Sequence, residues 1–236
     1  MNKTYVKKQD ICNLSRIPIS IDDNPVFLTA SEILKNKNLK YENSTLFNHY
    51  STFSKKILTL SDFYSLDDHP VLKNYTYKNY FFPWYHNRIV TEFLDTAFIK
   101  ERNLGFGSIQ FKKIKKLIKS IKKNGYNPEA FKDRKLGYMT GYWISEEEEK
   151  KFFIVSGNHR ISILCALFPG GEFPVIYEQK RFMKNRDLKY SCFKDENLHP
   201  EIFYLKDAKN WPLVKNKTID YSTAIKIIRL FTRGRS

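Results

Sequence analysis

The sequence predicts an α+β fold, and three observations carry the prediction. The run Phe152-Phe153-Ile154-Val155 is a continuous apolar strand that meets Ser156-Gly157-Asn158-His159-Arg160 and then an apolar helix from Ile161 to Leu164. Upstream, Ile114, Leu117, Ile118 and Ile121 fall on one face of a helix that Asn124-Gly125 caps and Pro128 follows. At the other end, Thr223 to Phe231 repeats apolar residues at helical spacing. With 42% hydrophobic and 16% aromatic side chains, the 236 residues suffice for one elaborated domain or two small ones.

Taken in order, residues 1 to about 15 read as a polar tail. Ile17 to Asp22 alternates as a short strand, which Pro25-Val26-Phe27-Leu28 extends or follows with another, and Thr29 to Leu34 opens a capped helix. Residues 41 to 85 are aromatic-rich without a clean period, and they read as an accessory region packing on the core. Within it, Trp84, His86 and Arg88 combine indole, imidazole and guanidinium and are the candidate acceptor contacts. Arg102 to Ser108 is a glycine-rich loop without the lysine-serine ending of a true phosphate loop. Lys132 to Met139 and Gly141 to Ile144 read as strands, and Glu146 to Glu149 as a solvated hairpin tip in preference to a metal site. Phe173 to Tyr177 closes the strand set, Trp211 to Val214 anchors a loop, and the terminal helix docks on the core. The expected division is an accessory region at 1–95, a core at 96–185, and an extension at 186–236 that carries the last helix.

A strand that ends in glycine and feeds a helix aims backbone N–H groups and the positive end of the helix dipole at one point. Such a point binds anions. His159 and Arg160 add a titratable ring and a bidentate cation there, a set suited to a phosphate chain.

The order of the two motifs resembles the ParB/sulfiredoxin superfamily over about residues 100 to 180. There, a helix of the form Leu-x-x-Ser-Ile-x-x-x-Gly precedes a Gly-x-His-Arg box. Here Leu117, Ser120, Ile121 and Gly125 supply the first, and Gly157, Asn158, His159 and Arg160 the second. The resemblance implies a ParB/sulfiredoxin-like nucleotide-binding core at 96–185, with an N-terminal accessory and acceptor-binding region at 1–95 and a C-terminal extension with its helix at 186–236. It also implies a nucleotide site for ATP, with CTP as the alternative, and Mg²⁺ as its companion. Lys116 and Ser120 would brace the phosphates one helical turn apart, and Ser156 through Arg160 would wrap them. His159 and Arg160 would act on the transferred group, which would make the chain a phosphotransferase. Asn158 stands where sulfiredoxins carry the cysteine of their sulfinic-acid chemistry, so that reaction is not expected. Only 76 residues follow Arg160, too few for a chromosome-partition clamp.

The proton acceptor is assigned only by position, to Glu101 or Asp95 ahead of the glycine-rich segment. The expected acceptor is a hydroxyl on a small molecule or glycan, which the resemblance associates with surface-glycan assembly. The runner-up is a non-catalytic nucleotide-sensing or DNA-binding module.

A net charge of +16 points to an anionic partner. The lysines are dispersed, a usage that AT-rich coding alone produces, and no helix-turn-helix, zinc-finger spacing or RNP-type strand appears, so nucleic acid is disfavoured. Cys12, Cys165 and Cys192 show neither pairing logic nor metal-ligand spacing, and Cys165 is expected to pack inside the helix after the box. Without a leader or an apolar run of ~18 to 20 residues, the expectation is a cytoplasmic protein with no transmembrane segment.

Overall fold

The computed structural model describes residues 3–12, 20–56, 59–66, 69–75, 82–84, 104–130, 137–177 and 201–233. Its architecture is a mixed six-stranded sheet with helices on both faces. The strands are β1 (Lys3–Lys7), β2 (Ile11–Cys12), β3 (Met139–Glu146), β4 (Glu149–Ser156), β5 (Glu172–Tyr177) and β6 (Ile202–Tyr204). Among the described residues the α-helices are α1 (Pro25–Lys35), α2 (Thr45–Lys56), α3 (Leu60–Phe63), α4 (Leu104–Asn124), α5 (Asn158–Leu167), α6 (Pro212–Lys215) and α7 (Tyr221–Thr232).

The sheet runs β1-β5-β3-β4-β2, with β6 beside the second half of β3. β3 and β4 form an antiparallel hairpin, and β5 and β6 lie parallel to β3 along its other edge. The expected polar tail is instead two edge strands: β1 pairs antiparallel with β5, and β2 parallel with β4. Both are short, and in β1 only Val6 is buried, so the stretch lacks the apolar run that marks an inner strand. Three residues, Lys8–Asp10, join these opposite edges. Four strand spacings in a flat sheet amount to ~19 Å, whereas the chain from Lys7 to Ile11 reaches at most ~14 Å. The sheet therefore curls, and the N-terminal segment straps its two margins together.

Alternation along the central strands divides the interior into two cores. Tyr142, Ile144 and Phe153 face one, with Trp84, Trp211, Ile227, Ile228 and Phe231. Met139, Trp143, Phe152 and Ile154 face the other, with Ile33, Ile114, Ile118, Ile161 and Leu164. Cys165 is buried in the second, as its place in the helix implies. The N-terminal region and the C-terminal extension both enter this sheet, through β1, β2 and β6.

Three local readings change. Pro25 to Leu28 is not strand but the first turn of α1, because the Asn24 side chain accepts the N–H groups of Val26 (2.9 Å) and Phe27 (3.2 Å) and Pro25 takes the first helical position. The glycine-rich segment is helical from Leu104 onward, so α4 is 21 residues long. Gly107 there lets α2 and the turn ahead of it approach, since a Cβ would sit 2.8 Å from Tyr50 Cδ2 and 1.9 Å from the Tyr41 hydroxyl. At the hairpin tip, Glu147, Glu148 and Glu149 are exposed, but Glu146 is buried and ion-paired with Arg229 and Arg233 of the docked α7 region. The strand expected at Lys132 lies largely outside the described residues; β3 begins at Met139. No helix among the described residues is long and apolar enough to cross a membrane.

Candidate functional site

Where β4 ends, Gly157 turns the chain into α5 with φ 96° and ψ 18°, the left-handed region in which glycine escapes the Cβ penalty. A Cβ at this position would also lie 2.7 Å from Met139 Cγ and 3.1 Å from its Cα. Both constraints require glycine at the box. Ile161 is the first residue whose N–H closes a helical bond, to Gly157 O at 3.0 Å. The N–H groups of the three preceding residues belong to the open, electropositive end of α5.

This end forms one wall of a cleft of about 650 Å³. β4 and α5 supply Val155, Ser156, Gly157, Asn158, His159 and Arg160, and α4 supplies Gln110, Lys113, Lys116 and Leu117. The lining therefore holds three basic side chains, Lys113, Lys116 and Arg160, and no carboxylate among the described residues. Gln110 and Lys113 were missed in the sequence. Once α4 is extended upstream, their spacing of three residues to each other and to Lys116 puts them on the same side of the helix.

The box side chains differ in state. Burial, reinforced by the nearby Lys113 charge, pushes the pKa of His159 down to about 4. Its imidazole is neutral at neutral pH, so the standing positive charge of the cleft comes from the lysines and Arg160. His159 Nε2 and Asn158 Oδ1 are buried without a hydrogen-bond partner among the described residues. Such atoms cost about 1–3 kcal/mol each while unmet. Arg160 Nη1 donates to the carbonyl of Gly137, which also accepts the Tyr126 hydroxyl at 3.2 Å. Burial lowers the pKa of Arg160 and raises that of Tyr126 to about 12, so Tyr126 reaches Gly137 as a neutral phenol. Ser162, one turn along, donates to Asn158 O at 2.8 Å and steadies the first turn of α5.

The other sequence candidates are distributed differently. Lys116 reaches the cleft, whereas Ser120 is exposed and outside its lining. Trp84 is on the opposite side of the sheet, 1% exposed, with its indole N–H donated to Tyr142 Oη at 3.1 Å. It is a core anchor and not a wall of the cleft, because stacking on Phe82 and edge contacts to Phe153, Trp211 and Phe231 enclose the ring. His86, Arg88, Asp95 and Glu101 lie outside the described residues. No group of three or more His, Cys, Asp or Glu side chains able to hold a metal occurs among the described residues. No family model, no curated protein and no solved structure matches this chain.

Proposed function

We propose that the chain is a nucleotide-dependent phosphotransferase with a ParB/sulfiredoxin-like core. Its cleft at Ser156–Arg160 takes the phosphate chain of ATP, or of CTP, and an acceptor hydroxyl on a small molecule or glycan enters from the open side. One observation carries this reading: the electropositive end of α5 and the cations Lys113, Lys116 and Arg160 converge on one cleft from two elements. Phosphoryl transfer asks chiefly for positioning and charge stabilisation, which fixed N–H dipoles and cations supply.

In this reading the N–H groups at the start of α5 and the two lysines orient the β- and γ-phosphates. Arg160, held by Gly137, meets charge on the transferred group. The bond from the γ-phosphorus to the β-bridging oxygen breaks, a bond to the acceptor oxygen forms, and the hydroxyl proton passes to a base, for which Glu101 is the sequence candidate. Mg²⁺ ordinarily needs one or two carboxylates besides the phosphates. The described lining offers none, so no step is assigned to a protein-held metal.

The test is calorimetric titration of ATP, CTP and ADP, with Mg²⁺, into the wild type and the His159→Ala/Arg160→Ala variant. Micromolar binding that disappears in the variant supports the reading; no binding by the wild type overturns it. The carboxylate-free lining favours a second reading, a nucleotide-sensing module that binds without turnover. Nucleotide binding with no phosphoryl transfer to any hydroxyl acceptor would select it.

A further inference from the structure

Helix α4 carries Lys112, Lys113, Lys115, Lys116, Lys119, Lys122 and Lys123 and no acidic residue along its 21 positions. Lys115 is accounted for: its ammonium donates to Leu39 O at 2.9 Å. Among the described residues no carboxylate pairs with the other six. Lys112, Lys116, Lys119 and Lys123 follow a spacing of four, three and four, which places all four on one narrow stripe. All are exposed, and the opposite face, Phe111, Ile114, Ile118 and Ile121, is buried in the core. Like charges one turn apart oppose the folded helix by a few tenths of a kcal/mol per pair, and no internal anion among the described residues relieves them.

We propose that this stripe is the docking track for a linear polyanion, specifically a phosphodiester-linked polyol chain, whose end is delivered to the cleft. Charge complementarity and continuity carry the assignment. The stripe extends ~16 Å from Lys112 to Lys123 with ~4.5 to 6 Å between successive cations, a ladder suited to a chain with one negative charge per repeat. Lys116 belongs to both the ladder and the cleft, so a bound chain passes directly to the phosphate site. A membrane surface fits poorly because the apolar face of α4 is already committed to the core. Single-stranded nucleic acid is ordinarily gripped by aromatic stacking as well as charge, and the exposed large apolar side chain of α4 among the described residues is Ile109, which is not aromatic. The role of the chain as acceptor rests on the phosphotransferase reading; its binding does not.

The experiment measures fluorescence anisotropy of labelled poly(glycerol phosphate) and of an oligothymidylate with equal charge count. Both are titrated with the wild type and with Lys112→Gln/Lys119→Gln/Lys123→Gln. Lys116 and the cleft stay intact, and circular dichroism verifies the fold of the variant. For the wild type the slope of log affinity against log salt is expected near −3 and for the variant near −1, scaling from about −0.7 per contacted charge. Affinity for the polyol chain should fall at least tenfold in the variant, while ATP affinity stays within twofold. Equal polymer binding by wild type and variant, or none by the wild type, overturns the track. Oligothymidylate binding tenfold tighter than the polyol chain overturns the partner and points to nucleic acid. Polymer binding without nucleotide binding would keep the track and remove the phosphotransferase.

Discussion

Arg229 Nε donates to Glu146 Oε1 at 2.8 Å, and this contact ties the last helix to the head of the β3–β4 hairpin. Arg233 completes the arrangement, with Nη2 3.0 Å from the same oxygen and Nε 3.0 Å from Oε2. The partners are unequal: Glu146 is 2% exposed, while the two arginine side chains are about half exposed. Removing both arginines strands a buried carboxylate, which is expected to cost ~3–5 kcal/mol. Glu146→Gln leaves guanidiniums that water can reach, and a smaller loss of about 2 kcal/mol is expected. Urea denaturation of the Arg229→Ala/Arg233→Ala and Glu146→Gln variants tests the order; a larger loss for Glu146→Gln would refute it.

Acid should weaken the fold through two half-buried imidazoles. Burial holds His159 and His49 near pKa 4, below the ordinary 6.5. Because the folded-state values are depressed, the unfolded chain takes up protons first. The stability is fully present above pH 6.5 and is lost as pH falls from 6.5 toward 4, by at most about 3 kcal/mol per residue. His159→Gln should flatten that slope by about half. An unchanged pH profile of the melting temperature would contradict the assignment.

Gly157→Ala should destabilise the fold and, on the phosphotransferase reading, abolish the proposed nucleotide binding. The left-handed backbone alone costs about 1–2 kcal/mol for a residue with a Cβ, and the approach to Met139 adds to it. Met139→Ala in the same chain should not restore the stability, because it leaves the Met139 Cβ and Cα at 3.0 and 3.1 Å and empties a buried core position at a cost of about 2–5 kcal/mol. Thermal melts of the single and double variants check this, and a Gly157→Ala variant that melts like wild type would refute it.

The two candidate phosphate contacts on α4 should separate cleanly. Lys116→Ala is expected to weaken ATP binding about tenfold, or ~1.4 kcal/mol, because Lys116 lines the cleft. Ser120→Ala, one turn further along, should change it by less than about twofold, in keeping with its exposed position. Titration calorimetry reads both; the reverse ranking would move the site along the helix.

Trp84 tests core against pocket. Trp84→Ala should cost ~3–5 kcal/mol in stability, and Trp84→Phe should cost less while losing the hydrogen bond to Tyr142. On the phosphotransferase reading, neither should alter acceptor selectivity in the folded protein. A change of acceptor KM without a change in melting temperature would return the indole to the substrate site.

The legible parts of the chain were those fixed by local chemistry. The Gly157 turn, the Gly125 cap of α4 (φ 70°), the β3–β4 hairpin and α7 all follow from neighbouring residues. The edge strands were hidden because β1 and β2 are short and only their pairing with β5 and β4 defines them. Trp84 was ambiguous for a related reason: an aromatic cluster has the same composition whether it lines a pocket or fills a core. Gln110 and Lys113 were missed because Gly105 and Gly107 suggested a loop, whereas close packing on Tyr41 and Tyr50 keeps that stretch helical.

The strap across the sheet margins also sets an order of assembly. Residues 3–12 leave the ribosome long before Glu149–Ser156 and Glu172–Tyr177, the strands they pair with. At ~5–20 residues per second the delay is on the order of 10 s, during which the hydrogen-bonding edges of these ten residues have no native mate. The sheet is consequently finished by its earliest-made strands, and its two margins close only once β4 and β5 exist.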